Sequence, residues 1–341
     1  MQRSILVVVL VSLLGSLSPA AEAVQLKIAT VAPDGSFWMT EARKAADEIS
    51  ERTYGRVTFR FYPGGTMGDD SAVLRKMRIG QLHGGVFIAG SFSHVVPDLQ
   101  IYNLPLLFST YDQVDAVRSG TDPLLIADLD DKGYHTFGFI EGGFAYIYST
   151  KKAATFSDLE GSKAWLPESD PVGRVLVEEA SLSPVPLGLA DVLTGLQTGL
   201  VDVVSGPPVA AVALQWFTKV KYAIEYPVIY TFGCVVISDR AWSSLSVEDQ
   251  RLVDEVLGRM TETLDRRARE DNEGARRALE KQGVVTLTPP ADTERQWKEL
   301  AKRSSDRLVE ELGLDRELLS RIEAEIAALD AGAPAEAAEG Q

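Results

Sequence analysis

Apolar and polar positions follow two alternating periods over the first ninety residues of this chain. Residues that alternate with a period of two, or form short apolar runs, are typical of strands, and apolar residues three to four positions apart are typical of helices. The strand-like stretches are residues 26–30, 57–62 and 83–89, and the helical stretches are residues 37–53 and 69–79. Ser36 directly precedes the first helical stretch and suits its N-cap. This β-α-β-α-β order predicts a mostly parallel sheet with helices on both faces.

The same two periods continue to the end of the chain. They predict helices at 110–119, 123–132, 247–281, 293–311 and 315–329, and strands at 136–140, 144–149, 233–238 and 284–287. In the long helix, Leu252, Val256 and Met260 recur at helical spacing. The strand pair 136–149 and the strand at 233–238 predict that the chain crosses between two lobes, with a ligand site between them.

The stretch 159–215 carries the most specific sequence signal. It contains LEGSKAWLP at 159–167 and LADVLTGLQTGLVD at 189–202, and LPLLF stands upstream at 104–108. These segments resemble the solute-binding proteins of TRAP (tripartite ATP-independent periplasmic) transporters, the C4-dicarboxylate-binding type. Their corresponding patterns are roughly LKGLKIRVP, ALQTGxVDGxENP and LPFLF, and the resemblance covers residues 26 to about 312.

The resemblance implies an α/β, two-lobed periplasmic binding protein, type II-like, with hinge strands and a long bracing helix. We therefore expect a discontinuous lobe I and a continuous lobe II. The expected segments are a signal peptide at 1–23, lobe I at 24–145 and 232–290, lobe II at 146–231, C-terminal helices at 291–329 and a disordered tail at 330–341.

The N-terminus has the pattern of an export signal. Arg3 precedes the apolar run 5–17, and Ala21-Glu22-Ala23 is a small-x-small cleavage site. The sequence thus predicts a periplasmic protein cleaved after Ala23, with an uncleaved anchor as the alternative. The formal charge of −15 argues against binding to nucleic acid or anionic membranes. Cys234 is the only cysteine, so an internal disulfide is excluded.

The resemblance also locates the ligand-binding positions, and this chain departs from the family at three of them. The arginine of the family's KIRVP strand, which pairs with the ligand carboxylate, corresponds to Trp165. A second arginine follows a Gly-Phe pair in the family, but here Phe144 is followed by Ala145. Gly206 stands at the family's asparagine. The sequence therefore predicts a pocket without the carboxylate clamp, since a buried carboxylate without a partner is costly.

Apolar and aromatic residues are the candidates for the remodelled pocket. Trp165 offers a broad ring face and one N–H donor. The companion candidates, which lie in loops and strand ends that line the cleft in relatives, are Phe92, Phe108, Phe144, Trp216 and Phe232. For each aromatic residue, core packing is the alternative interpretation. Lys163, two residues before Trp165 on the same strand face, or Arg174 could replace the missing cation.

The sequence motifs do not indicate an enzyme or a cofactor-binding protein. Residues 64–68 are glycine-rich but lack the Lys-Ser/Thr of a P-loop, and His83, His94 and His135 lack metal-ligand spacing. We therefore expect no enzymatic activity, no cofactor and no metal. The resemblance implies a TRAP receptor with small and large membrane subunits as partners, and the changed pocket positions predict a large apolar or aromatic ligand, such as a lipid-like molecule or hydrophobic monocarboxylate. A sensory ligand-binding protein and a periplasmic lipid carrier are the alternatives.

Overall fold

The computed structural model describes residues 23–168 and 170–332, so the predicted leader, apart from Ala23, and residues 333–341 lie outside the described residues. The strands are β1 (Val24–Ala29), β2 (Val57–Tyr62), β3 (Gly84–Ile88), β4 (Tyr134–Ser149), β5 (Lys163–Leu166), β6 (Ser183–Pro186), β7 (Val203–Gly206), β8 (Tyr222–Ser238) and β9 (Val285–Leu287). The helices are α1 (Phe37–Arg52), α2 (Asp70–Arg78), α3 (Tyr111–Asp131), α4 (Pro171–Glu179), α5 (Val192–Thr198), α6 (Pro208–Ala213), α7 (Asp239–Trp242), α8 (Val247–Lys281), α9 (Glu294–Leu312) and α10 (Arg316–Gly332).

One mixed sheet runs through the molecule in the order β2-β1-β3-β8-β4-β7-β5-β6, and β9 pairs with β8. The two long strands β4 and β8 are antiparallel and join its two halves. We call the first half β1–β3 with residues 134–141 and 232–238, and the second half β5–β7 and β9 with residues 143–149 and 222–231. The β4–β8 pairing shifts register between Glu141 and Gly143, where the halves meet.

Local capping signals begin several helices where the sequence predicts. The Ser36 hydroxyl accepts the N–H of Met39 at 3.3 Å, which satisfies one of the unpaired donors of α1. Thr110 and Gln113 form a reciprocal capping box at α3. The helix predicted at 247–281 is α8, with the same bounds. Gly199 ends α5 with φ 70°, the left-handed conformation that glycine adopts without strain.

The predicted break in α3 is wrong, because one helix spans both expected segments and contains Pro123. Val117, Thr121, Leu125 and Leu129 are buried at four-residue spacing on both sides of the proline. Packing of this continuous face outweighs the backbone hydrogen bond that a proline cannot donate.

The strands predicted at 136–140 and 144–149 are likewise one strand, β4, and the strand predicted at 233–238 begins earlier, at Tyr222. Glycines at 138, 142 and 143 interrupt the apolar alternation, but register shifts in the pairing with β8 accommodate them. Each of the long strands β4 and β8 therefore runs through both halves of the sheet without interruption.

The C-terminal helices connect both halves of the sheet. Trp297 of α9 is buried in the core of the second half with Phe156 and Tyr226. Ile322 and Ile326 of α10 belong to the core of the first half, and Gln113 donates to Asp330 at 2.7 Å. Residues 330–332, the start of the predicted tail, lie in α10.

Candidate functional site

The carboxyl ends of the parallel strands in the two halves approach one another, which is where open α/β sheets bind ligands. A methyl group at Gly65, after β2, would lie 3.7 Å from Cβ of Ala190, which follows β6. A methyl group at Gly90, after β3, would lie 3.9 Å from Oδ1 of Asp170, which follows β5. We call the region between these loops the cleft. The loops of the two halves are in contact across it.

Carboxyl groups are concentrated at this cleft. Burial raises the pKa of Asp70 to about 6, although the Ser91 hydroxyl and the Ile88 N–H both donate to its carboxylate. A hydrogen bond with Asp69 raises the pKa of Glu168, and the negative charge of the Asp69 carboxylate adds to this effect because it disfavours ionisation of Glu168. Asp69 precedes α2 in the first half and Glu168 follows β5 in the second, so this bond crosses the cleft.

Asp170 combines a structural and an electrostatic role at the same place. Its Oδ1 accepts the N–H of Gly173 at 3.0 Å and caps α4. Burial raises the pKa of the Asp170 carboxyl group, which that N–H donor only partly offsets. The start of α4 is thus fixed at the cleft.

Trp165 lies on β5 and is 8% exposed. Its Nε1–H donates to the Leu187 carbonyl at 2.9 Å, and its ring meets Trp216 edge to face at 5.4 Å. A Cβ at Gly206 would lie 3.2 Å from Cζ3 of Trp216, so only a residue without a side chain fits there unless the indole moves. The structure therefore brings together three of the predicted residues: the Trp216 indole fills the space beside Gly206 and packs against Trp165.

The four candidate phenylalanines belong to one apolar core, which lies mainly in the first half and extends to Phe144 and Tyr230 at the boundary with the second. Phe92 meets Phe87 and Tyr134, Phe108 and Phe232 both meet Tyr102, and Phe144 meets Tyr111 and Tyr230. Ala145 is also buried and pairs with Ile229. Each aromatic ring has partners of the kind that a packed core supplies. Contact of these residues with a ligand stays a prediction.

Neither candidate replacement cation is free of other partners. The exposed Lys163 ammonium donates to the Gly199 carbonyl at 2.9 Å. Arg174 pairs with Glu178 at 3.1 Å and with Glu311 of α9 at 2.5 Å. Both contacts tie secondary-structure elements together, so a role for either residue in ligand binding also stays a prediction.

The sequence analysis missed the acidic residues Asp69 and Asp70. In sequence they are an acidic pair at a helix start, a common feature that stabilises the first turn. The contact of Asp69 with Glu168, about a hundred residues further along the chain, arises from the order of the strands in the sheet. No local pattern indicates that proximity.

Residues 28–312 match the family described as bacterial extracellular solute-binding protein, family 7. The match covers most of the chain. The chain belongs to this family. Its members are extracellular solute-binding proteins, so the predicted class of a non-enzymatic solute-binding protein is confirmed.

Two kinds of relatives agree with this assignment. The C4-dicarboxylate-binding periplasmic protein DctP of Rhodobacter capsulatus is 25% identical over 318 residues, which cover 89% of this chain and 92% of the relative. A TRAP solute-binding protein from Ralstonia eutropha, crystallised with acetolactate, has a TM-score of 0.82 at 21% identity, covering 89% of this chain and 99% of the other. A sugar acid binding protein from Advenella mimigardefordensis, with galactonate, has a TM-score of 0.82 at 17% identity, covering 91% and 99%.

These structures confirm the predicted α/β fold of a type II periplasmic binding protein with its long helix, here α8. Within the described residues, no helix combines the length and the apolar character that a membrane crossing requires.

Proposed function

We propose that this family 7 protein is the extracytoplasmic receptor of a TRAP-type uptake transporter and delivers its ligand to small and large membrane subunits. Its two halves are the lobes of the receptor, and the cleft between them holds the ligand. The ligand shifts an open–closed equilibrium toward the closed form, in which the loops meet as they do around Gly65 and Ala190. The membrane subunits recognise that closed form.

We further propose that the ligand has a large apolar or aromatic body and is not a small dicarboxylate. The observation that carries this proposal is that Trp165, which packs edge to face against Trp216, stands at the position of the carboxylate-binding arginine in the resemblance. An indole cannot form the two parallel hydrogen bonds of a guanidinium, and here the single N–H of Trp165 is used by Leu187.

The charges at the cleft support the same ligand class. The carboxyl groups at the cleft are those of Asp69, Asp70, Glu168 and Asp170. The positive charge of Arg75 is close enough to Glu168 to lower its pKa in part. A second carboxylate on a small ligand would approach these groups in a partly desolvated space, which is unfavourable. An apolar body with hydroxyl groups, or with one carboxylate near the mouth, avoids that repulsion.

The test is a binding panel with mass spectrometry of whatever copurifies with the protein. Melting temperature and calorimetry are measured with succinate and galacturonate, and with a medium-chain and a long-chain fatty acid, for the wild type and Trp165→Arg. We expect the wild type to respond to a fatty acid and not to succinate. We expect Trp165→Arg to gain about 10- to 100-fold in affinity for galacturonate or succinate, the factor of a charge-assisted carboxylate pair.

Trp165→Phe is the matched control, because it keeps an apolar ring and loses the N–H donated to Leu187. It should retain the ligand preference of the wild type. Tight binding of succinate by the wild type, without any response to apolar ligands, would contradict the proposed ligand class. Chemical turnover of a bound compound would contradict the receptor function.

A further inference from the structure

A polar stripe on α8 follows β4 across the boundary between the two halves. Its members Asp265, Arg269, Asn272 and Arg276 are spaced by four, three and four residues and therefore share one helix face. Asp265 accepts the N–H of Glu141 at 2.7 Å, and Arg269 pairs with the Glu141 carboxylate at 2.9 Å. Asn272 donates to the Gly142 carbonyl at 2.8 Å, and Arg276 donates to the Tyr146 hydroxyl at 3.3 Å.

The contact of Asn272 lies where β4 is distorted. The pairing with β8 shifts register between Glu141 and Gly143, and Gly143 has a φ of +92°. A Cβ at residue 143 would lie 2.5 Å from Nδ2 of Asn272, so the position of this amide leaves room only for glycine. Because glycine adopts a wide range of backbone dihedral angles, a rotation of one half against the other costs the least free energy at this point of β4.

Asn272 also contacts the second half, at α6, the helix that follows Gly206 and β7. Its Oδ1 accepts the N–H of Val209, in the first turn of α6, at 3.1 Å. Its Nδ2 donates to the carbonyls of Gly142 and Ala268. The side chain is 5% exposed, so one buried amide bonds three elements: α8, the distorted part of β4 and the start of α6.

From this geometry we infer that Asn272 is a positioning residue that couples the bend in β4 to closure of the cleft. The inference rests on the proposed receptor function. Gly142 and Val209 lie on elements that a hinge rotation displaces relative to each other, and the planar amide bonds both in one orientation. Opening breaks at least one of these bonds and leaves a buried polar group to be hydrated again, so Asn272 favours the closed form.

The experiment measures the open and closed populations directly, in the full mature protein without added ligand. Spin labels are attached at Lys44→Cys on α1 and Glu160→Cys before β5, and the distance distribution is recorded by double electron–electron resonance. Cys234 is buried, so the labels attach to the introduced cysteines. In Asn272→Leu and Asn272→Asp, neither of which can donate to Gly142, we expect the closed-to-open ratio to fall about three- to tenfold, the factor of one buried hydrogen bond.

Asp249→Asn is the matched control on the same helix. Asp249 is buried and pairs with Arg56 at 2.7 Å within the first half, so its substitution should lower the melting temperature and leave the distance distribution unchanged. A role of Asn272 limited to stability would give the same result as this control.

Two outcomes would overturn the inference, and they are distinguishable. If the wild type shows two distances and the Asn272 variants leave their ratio unchanged, Asn272 has no positioning role, and the proposed receptor function stands. If the wild type and every variant show one fixed distance, and the ligand identified by the binding panel does not alter it, then closure itself is contradicted, together with the receptor mechanism.

Discussion

Asp70 is a carboxyl group of the cleft whose burial lowers the stability of the folded protein at neutral pH. Burial raises its pKa from 3.8 to about 6, in spite of two hydrogen-bond donors. Between these two pH values the folded protein binds more protons than the unfolded chain. The free energy of unfolding therefore falls as pH rises from about 4 to about 6.

We predict that Asp70→Asn raises the free energy of unfolding at pH 7 by about 1–2 kcal/mol, because the amide does not have to lose a proton on the way to neutral pH. At pH 4 the variant and the wild type should have nearly equal stability. Urea unfolding at pH 4, 5, 6 and 7 measures the difference. The exposed Glu160→Gln is the control and should show no such pH-dependent gain; equal stability of Asp70→Asn and wild type at every pH would contradict the prediction.

At the residue scale, the sequence predicted conformations better than contacts. Ser36 is identified from the sequence as the N-cap of α1, because its hydroxyl can accept an N–H of the first turn. The meeting of Gly206 with Trp216, and of Asp69 with Glu168, could not be identified in this way. Those contacts depend on how β5, β6 and β7 are ordered in the sheet.

At the scale of elements, α8 is the clearest success of local patterns, since its predicted bounds agree with the observed ones. Ser246 caps its first turn by accepting the N–H of Asp249, and the apolar spacing persists to its last turn. For α3 the proline in the sequence predicts a break. The helix is nevertheless continuous, because its buried face extends over several turns on both sides of Pro123. Element type is therefore local information, whereas continuity is decided by packing.

Two interior glycines of α8 give a prediction at this scale. No atom within 4 Å would meet a methyl group at Gly258, and at Gly274 the nearest is an Arg277 nitrogen at 4.0 Å. Gly258→Ala and Gly274→Ala should each raise the free energy of unfolding by about 0.5–1 kcal/mol, because alanine loses less backbone entropy in a helix. Urea unfolding at neutral pH measures both.

Gly143→Ala is the contrasting variant, since its Cβ would lie 2.5 Å from Asn272 in a backbone conformation with φ +92°. It should be markedly destabilising. A loss of stability in Gly274→Ala, together with a gain in Gly258→Ala, would contradict the prediction and indicate that α8 departs from regular helix near residue 274.

At the scale of the whole molecule, β4, β8 and the C-terminal helices all connect the two halves. Trp297 is 2% exposed in the core of the second half, and Ile322 is fully buried in the core of the first. Since α9 and α10 are consecutive, loss of either core contact is transmitted to the other half. The halves should therefore unfold together.

We predict a single unfolding transition that both Trp297→Ala and Ile322→Ala shift to lower denaturant. The expected losses are about 3–5 kcal/mol for the tryptophan and about 2–5 kcal/mol for the isoleucine. Calorimetry and urea unfolding followed by circular dichroism measure them. Leu329→Ala on α10, where Leu329 is 39% exposed, is the control with little effect. Two separated transitions, each moved by one variant, would show that the halves unfold independently.

The amino-acid sequence by itself determined where helices and strands form, because capping hydroxyls, helix-ending glycines and apolar periodicity act over a few residues. Only the tertiary structure decided that β4 is one strand, that Asp69 meets Glu168, and that Asn272 of α8 bonds Gly142 and Val209. These groups are between about 60 and 130 residues apart in the chain. They come together because burial of apolar faces on β4, β8 and α8 selects one register among many, and that selection is a property of the whole packed chain.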